Sequence, residues 1–312
     1  MRTLVVGAGA VGGYFGGRLL EINRDVTFLV RPRRAAELAS RGLIIHSPVG
    51  DASFSKPATV LAENLRETFD LILLSCKAYD LESAITSFAP AVGPKTSILP
   101  LLNGIRHLEV LDERFGRDRV LGGQCFIAAA VKDSEIVQLN EAHELSFGER
   151  DGTWSDRVQA IARLMEGVKF KAHASTEILQ EMWEKWVFLS SLAGCTCLMR
   201  ASIGDICASP GGKDFILGLL EECGSIAAAE GFPMREAPLQ RANKVLTAPG
   251  SQLTASMLRD IERNAPIEAD HIIGDLLRRG ARLSQGKTSR LSVAFTHLKA
   301  YEARRTRTSQ TG

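Results

Sequence analysis

Short apolar, β-branched runs alternate with helix-period segments through the first half of the chain. Thr3–Val6 and Val26–Val30 read as buried strands, with helical patterns following at Val11–Glu21 and Arg33–Arg41. Leu43–His46 and Ala52–Ser55 flank Pro48-Val49-Gly50 and read as a hairpin. Leu71–Ser75 and Thr96–Leu102 are two further buried strands, separated by a helix near Leu81–Ala89. This β-α-β alternation predicts an α/β fold, a Rossmann-type, doubly wound, mostly parallel sheet. Val120–Val131, Glu135–Leu139 and Glu144–Phe147 read as antiparallel additions.

The pattern changes near residues 170–176. From about Thr176 the strand signals nearly vanish, and Ile178–Cys197, Asp214–Glu230, Ala237–Leu246, Leu253–Arg263 and Pro266–Arg279 read as helices. The expected division is a first domain over 1–174 and an all-helical C-terminal domain over 175–312. The tail Glu302–Gly312 has no large apolar residue and reads as frayed.

Composition narrows the function classes. The chain has 312 residues, 45% hydrophobic and 24% charged, which is ordinary globular usage for about two domains. Lys and Arg total 38 against 36 for Asp and Glu, too balanced a charge for a chain that must neutralise many phosphates, so nucleic acid is not an expected partner. No window approaches the roughly 18 consecutive apolar residues of a membrane span. The N-terminus enters a strand directly, without a leader pattern, so a cytoplasmic location is expected. Six cysteines include no C-x-x-C pair, and the histidines and carboxylates show no metal-ligand spacing, so no metal is expected. The cysteines read as small buried apolar residues in a reducing compartment.

The strongest local signal is Gly7-Ala8-Gly9-Ala10-Val11-Gly12, a G-x-G-x-x-G turn between a strand and a helix. Gly7 permits the tight turn, Gly9 lets backbone approach a pyrophosphate, and Gly12 lets the helix pack close to the strand. The helix N-terminus adds free N–H groups and a partial positive charge. Gly13, Gly16 and Gly17 read as allowing close packing of that helix. The second strand ends in Arg31 with no carboxylate. Arg31, followed by Arg33 and Arg34, suits a 2′-phosphate, so NADP(H) is the expected cofactor over NAD. The alternative for Arg33 and Arg34 is a solvated helix start, and for Arg31 a surface arginine.

The order of these and later motifs resembles the ketopantoate reductase family (2-dehydropantoate 2-reductases) over roughly residues 1–300. The stretch from Gly7 to Leu19 with Arg31, then Ser75-Cys76-Lys77-Ala78 and Leu102-Asn103-Gly104 at the ends of the fourth and fifth strands, carry it in the first half. Met182-Trp183-Glu184-Lys185-Trp186, Ser256-Met257-Leu258-Arg259-Asp260-Ile261 and Glu268 carry it in the second. The resemblance implies a Rossmann domain joined to a helical one, and NADPH-dependent reduction of a 2-oxo acid to the 2-hydroxy acid. It implies Lys185 as general acid, Glu268 as its acidic partner, Ser256 as a donor to the substrate carboxylate, Asn103 between cofactor and substrate, and Lys77 near the cofactor. Each has a plainer reading. Glu181, four residues before Lys185, suits a helix-surface ion pair. Asn103-Gly104 suits a turn, Lys77 a solvent lysine, Ser256 an exposed helix serine, and Glu268 a helix-dipole carboxylate in a helix opening near Pro266.

One departure bears on substrate. Family members carry two asparagines one and two helical turns after the lysine, where this chain has Leu189 and Ala193. Two hydrogen-bond donors are replaced by an apolar face, which favours a 2-oxo acid with an apolar or branched side chain over 2-dehydropantoate. An NAD-dependent D-2-hydroxy acid dehydrogenase of the same build and a non-enzymatic NADP-binding sensor are the competing readings. The apolar faces of the helical domain are compatible with a homodimer.

Overall fold

In a computed structural model, residues 1–284 and 288–310 are described. The chain divides into two compact units, Met1–Leu179 and Gln180–Gly312.

The first unit holds a five-stranded parallel sheet of β1 (Thr3–Val6), β2 (Val26–Leu29), β5 (Thr59–Val60), β6 (Phe69–Leu74) and β7 (Val92–Pro100), in the order β5-β2-β1-β6-β7. It is a doubly wound Rossmann sheet whose central strand is apolar because both faces are covered: Val5 pairs with Phe28 and Leu73, and all three are essentially inaccessible. Helices α1 (Ala10–Glu21), α2 (Pro32–Arg41), α3 (Leu81–Phe88), α4 (Arg106–Phe115) and α5 (Asp156–Leu164) belong to this unit.

The expected hairpin forms as β3 (Leu43–His46) and β4 (Ala52–Phe54), but it belongs to a second sheet. There β9 (Glu135–Gly148) pairs parallel with β3 and with β10 (Lys171–Ala174), and antiparallel with β8 (Gly122–Lys132). The segments expected as antiparallel additions are therefore one long hairpin that joins β3, and only Val120, just ahead of it, bridges to Ile98 of β7 in the Rossmann sheet.

The glycines of α1 explain how one helix serves both sheets. A Cβ at Gly12 or Gly16 would strike Val5, Ser75 or Phe28 of the parallel sheet and its strand ends. A Cβ at Gly13 or Gly17 would strike Ile136 or Ile45 of the second sheet. The two pairs are each spaced four residues apart, so each forms one flat stripe on the helix.

No strand follows Ala174 among the described residues. The chain continues as α6 (Ile178–Met199), α7 (Ile203–Ala208), α8 (Gly212–Ala229), α9 (Glu236–Leu246), α10 (Ser256–Glu262), α11 (Asp275–Arg279), α12 (Ala281–Ser284) and α13 (Arg290–Gln310). Gly194 lets α6 pack tightly, since a Cβ there would meet Leu219 of α8 at 2.7 Å and Ala294 of α13 at 3.7 Å. One expectation is corrected here. The segment read as a helix from Pro266 is irregular through Glu268, turns helical at Ala269, passes through a π-turn at Asp270–Gly274 and then becomes α11. Helix α13 runs through the tail as far as Gln310, and residues 311–312 lie outside the described residues.

Candidate active site

In the first unit the candidate residues share one edge. Strands β1, β2, β6 and β7 are parallel, so the glycine turn, Arg31, Lys77 and Asn103 all lie beyond their C-terminal ends. That edge is where open α/β sheets bind ligands. Gly7 has φ +92°, a conformation that favours glycine, and its N–H donates to the Leu29 carbonyl at 2.9 Å. Ala8, Gly9, Ala10 and Val11 carry the chain from that turn into α1. Gly12 is sterically required, because a Cβ there would lie 2.2 Å from both the Gly7 carbonyl and Ser75 Oγ. Gly9 is different: a Cβ there would meet nothing within 4 Å. No side chain caps the N-terminus of α1.

Two side chains brace this turn. Ser75 Oγ donates to the Val6 carbonyl at 2.9 Å, tying the end of β6 to the end of β1. Arg34 donates through Nε to the Ala8 carbonyl at 3.0 Å, and through Nη1 to the Ser134 carbonyl at 2.9 Å and to Glu37 at 3.0 Å. Arg34 Nη2 is buried without a partner. Arg33 is almost fully exposed and pairs with Glu37. Of the three expected phosphate ligands, Arg34 is thus held as a strut and Arg33 points to solvent.

Arg31 is the N-cap residue of α2, ahead of Pro32 in the first turn. Its side chain is 71% exposed, and Nη2 donates to Asp80 Oδ1 at 2.6 Å. That hydrogen bond holds the guanidinium pKa above its ordinary value. Arg31, Arg33, Arg34, Glu37, Val131, Asp133 and Ser134 line a cavity of about 580 Å³. Lys77 is half-buried at the start of the short 3-10 turn Ala78–Asp80. Asn103 is half-buried between β7 and α4, with Gly104 at φ +76° completing the bend.

The residues at this edge fit a dinucleotide. The open position at Gly9, the uncapped helix start and the exposed Arg31 all offer room or donors to an anionic group.

In the second unit Lys185 sits on α6 and is only 6% exposed. Glu268, 7% exposed, lies two residues before the first residue of the π-turn. The indole of Trp186 donates to the Ile272 carbonyl at 2.9 Å, and Ser190 Oγ donates to the same oxygen at 3.3 Å. These two bonds register the turn after Glu268 against the α6 segment that carries Lys185. Leu189 is half-buried and Ala193 buried. Ser190 and Ser191 do not replace the missing asparagines, because both are fully buried and Ser191 Oγ donates to the Val187 carbonyl at 2.8 Å.

Glu184, the neighbour of Lys185, faces Arg235, whose Nε and Nη2 lie 2.7 and 2.8 Å from its two oxygens. Burial pushes the Glu184 carboxyl up, but hydrogen bonds from Arg235 and Gln180 outweigh it and hold the pKa below the ordinary value. Ser256 is exposed in the first turn of α10. The preceding Ala255 N–H donates to Thr196 Oγ1 on α6 at 3.3 Å. Thr196 lies eleven residues beyond Lys185, about 16 Å along the helix, so this anchor is well removed from the lysine's own turn. Burial pushes the Cys195, Cys197 and Cys223 thiols up to about 12, which leaves them unreactive.

Sequence reasoning missed Ser75 and Arg34 as braces, Asp80 as the partner of Arg31, and the Trp186–Ile272 bond. A serine at a strand end and an Asp at a helix start are visible locally, but their partners lie 69 and 49 residues away.

The sheet, its glycine turn and the residues at its C-terminal edge define a Rossmann-type dinucleotide-binding protein. Comparison with known proteins then identifies the family. Residues 3–152 match the ketopantoate reductase PanE/ApbA family, and residues 177–302 match its C-terminal domain. The chain belongs to the ketopantoate reductase family and is an oxidoreductase of that family. An uncharacterised oxidoreductase of Bacillus subtilis, YkpB, is 37% identical over 304 residues, 97% of this chain and 99% of that one. The crystal structure of 2-dehydropantoate 2-reductase from Geobacter metallireducens is 27% identical, with a TM-score of 0.86 over 96% of this chain and 99% of that one. D-mandelate dehydrogenase, solved with NADH and anilino(oxo)acetate, shares the fold, with a TM-score of 0.86 at 18% identity over 98% of this chain and all of that one.

Proposed function

We propose that this chain reduces a 2-oxo acid with an apolar or branched side chain to the 2-hydroxy acid, using NADPH. The observation that carries the reading is a buried lysine, Lys185, followed on its own helix face by Leu189 and Ala193.

Gly7, Ala8, Gly9, Ala10, Val11 and Gly12 hold the pyrophosphate at the start of α1, Arg31 holds the 2′-phosphate, and Lys77 and Asn103 orient the rest of the cofactor. When bound, the reduced nicotinamide supplies the hydride. Lys185 Nζ donates a hydrogen bond to the ketone oxygen, stabilises the negative charge that develops there and gives up the proton that completes the alcohol. Glu268 holds the ammonium or the product hydroxyl. Ser256 donates to the substrate carboxylate, and Asn103 contacts the substrate. The apolar face at Leu189 and Ala193 receives the side chain without demanding a hydroxyl.

A second reading, an NAD-dependent D-2-hydroxy acid dehydrogenase, draws support from the same apolar face and from the carboxylate of Asp80 beside Arg31. The test is oxidation of NADPH and of NADH by the purified chain against a panel of 2-oxo acids that includes 2-dehydropantoate. Turnover of branched apolar acids with NADPH supports the proposal. Preference for NADH selects the second reading. Preference for 2-dehydropantoate removes the substrate assignment.

A further inference from the structure

The carboxylate of Asp80 has no role in its own helix. Asp80 closes the 3-10 turn and stands at the N-cap of α3, yet its side chain accepts nothing from the helix N–H groups. Its backbone, at φ −97° and ψ −1°, is in the helical region rather than the extended conformation from which an N-cap side chain reaches its own helix. The carboxylate instead reaches Arg31 Nη2, and Asp80 is the partner the guanidinium has among the described residues.

The location of this pair gives it a consequence. Arg31 follows β2 and Asp80 follows β6, the two strands that flank β1 and its glycine turn. The formal charges of the pair cancel at the point where Arg31 would meet a 2′-phosphate. A phosphate attracted by the guanidinium is repelled by the carboxylate just beyond it, while a ribose hydroxyl finds in the same carboxylate an acceptor. Arg31 is 71% and Asp80 32% exposed, so the bond between them orders Arg31 only weakly.

We infer that Asp80 is a specificity-determining residue that reduces the preference of this chain for a phosphorylated over an unphosphorylated dinucleotide. The inference rests on the reading of Arg31 as the 2′-phosphate ligand given above. Removing the carboxylate charge improves NADPH binding by about ten-fold, the size expected for one negative charge facing a dianion a few ångströms away in a solvated site. NADH binding does not improve, because the acceptor for the ribose hydroxyl is weakened.

Calorimetric titration of the full chain with NADPH and with NADH tests this without knowledge of the substrate. Asp80→Asn is expected to raise the NADPH-to-NADH affinity ratio by about ten-fold, and by less as salt is added. Asp80→Glu keeps the charge and is expected to keep the wild-type ratio. An equal change for both dinucleotides in Asp80→Asn, or no change, overturns the inference, as does an Asp80→Glu ratio that follows Asp80→Asn. Arg31→Ala separates the two levels. If it leaves NADPH affinity untouched, the 2′-phosphate reading falls and the inference with it. If it weakens NADPH while Asp80→Asn is silent, only the inference falls.

Discussion

The indole Nε1 of Trp186 donates to the backbone carbonyl of Ile272 at 2.9 Å, so a buried side chain of α6 caps an oxygen inside the π-turn that follows Glu268. A π-turn interrupts the regular ladder of helical hydrogen bonds and is frequent at functional sites. Here the interruption receives two side-chain donors, Trp186 and Ser190, one helical turn apart. The residue before Trp186 is Lys185. The bond thus sets the segment with the proposed acid against the segment with its proposed carboxylate partner.

Replacing Trp186 by Phe keeps most of the buried ring and removes the donor. The Ile272 carbonyl is left with the longer Ser190 bond, and the chain is expected to lose about 1–3 kcal/mol of stability. Turnover falls as well, because the Glu268 turn loses its register, while dinucleotide affinity is unchanged. Denaturant unfolding and steady-state kinetics on the same preparation check both. A stable variant with full activity means that the bond is dispensable.

The glycine turn separates folding from binding. Gly12→Ala places a methyl 2.2 Å from the Gly7 carbonyl and Ser75 Oγ, and backbone must move to admit it, at a cost of about 1–3 kcal/mol or more. Gly9→Ala meets nothing within 4 Å and should fold like the wild type. Its added methyl instead lies where a pyrophosphate is expected. Thermal denaturation should therefore report the first substitution, and dinucleotide titration the second. Normal cofactor affinity in Gly9→Ala would place the pyrophosphate elsewhere.

Lys185→Met keeps the apolar stem and deletes the ammonium. If Lys185 protonates the ketone, turnover falls by about 100- to 10,000-fold with dinucleotide affinity retained. Persistence of the wild-type rate would return Lys185 to a structural role.

Much of this architecture was legible because it is local. The glycine turn, the strand before it and the helix after it are encoded within residues 3–21, and the loss of strand signals after 174 marks the helical region. What was hidden is long-range. The hairpin at 43–54 is recognisable from its turn, but its sheet is decided by the pairing of Ile45 with Ile136. Strand β5 has two residues and carries no periodicity. The π-turn is hidden because its apolar spacing is helix-like, and the side chains that bond its Ile272 carbonyl, Trp186 and Ser190, lie more than 80 residues earlier. Arg31 was legible as a cation at a strand end, while its counter-ion was not.

The Glu184–Arg235 pair gives a stability effect with a defined pH dependence. The folded-state pKa of Glu184 lies below its ordinary value, so the unfolded chain binds its proton more tightly. Its contribution is fully present above the unfolded value of about 4.3 and is lost as the pH falls through the folded value. Glu184→Gln should be less stable than wild type by about 1–3 kcal/mol at neutral pH, less than for a fully buried pair because Arg235 is 42% exposed. The difference should narrow on acidification below about pH 4. Urea unfolding of both proteins across this range measures it, and a gap independent of pH would mean that the carboxylate charge is not the stabilising element.

The last prediction concerns the face that departs from the family. Leu189 is half-buried one helical turn after Lys185, so Leu189→Asn introduces an amide of similar size without opening a large cavity. Ala193 is only 3% exposed, and enlarging it would overpack the helix, so Leu189 is the informative position. Wild type is expected to favour a branched apolar 2-oxo acid over 2-dehydropantoate, whose side chain carries a hydroxyl. One new hydrogen bond to that hydroxyl contributes about 1–2 kcal/mol, so kcat/KM for 2-dehydropantoate relative to the apolar acid should rise by about 5- to 30-fold in Leu189→Asn. The shift should come from both directions, since the apolar acid now faces an amide it cannot satisfy. An unchanged ratio would show that the side chain of the substrate does not meet this face of α6. A ratio that changes while Lys185→Met abolishes turnover on both acids would tie specificity and proton transfer to one helix, one turn apart.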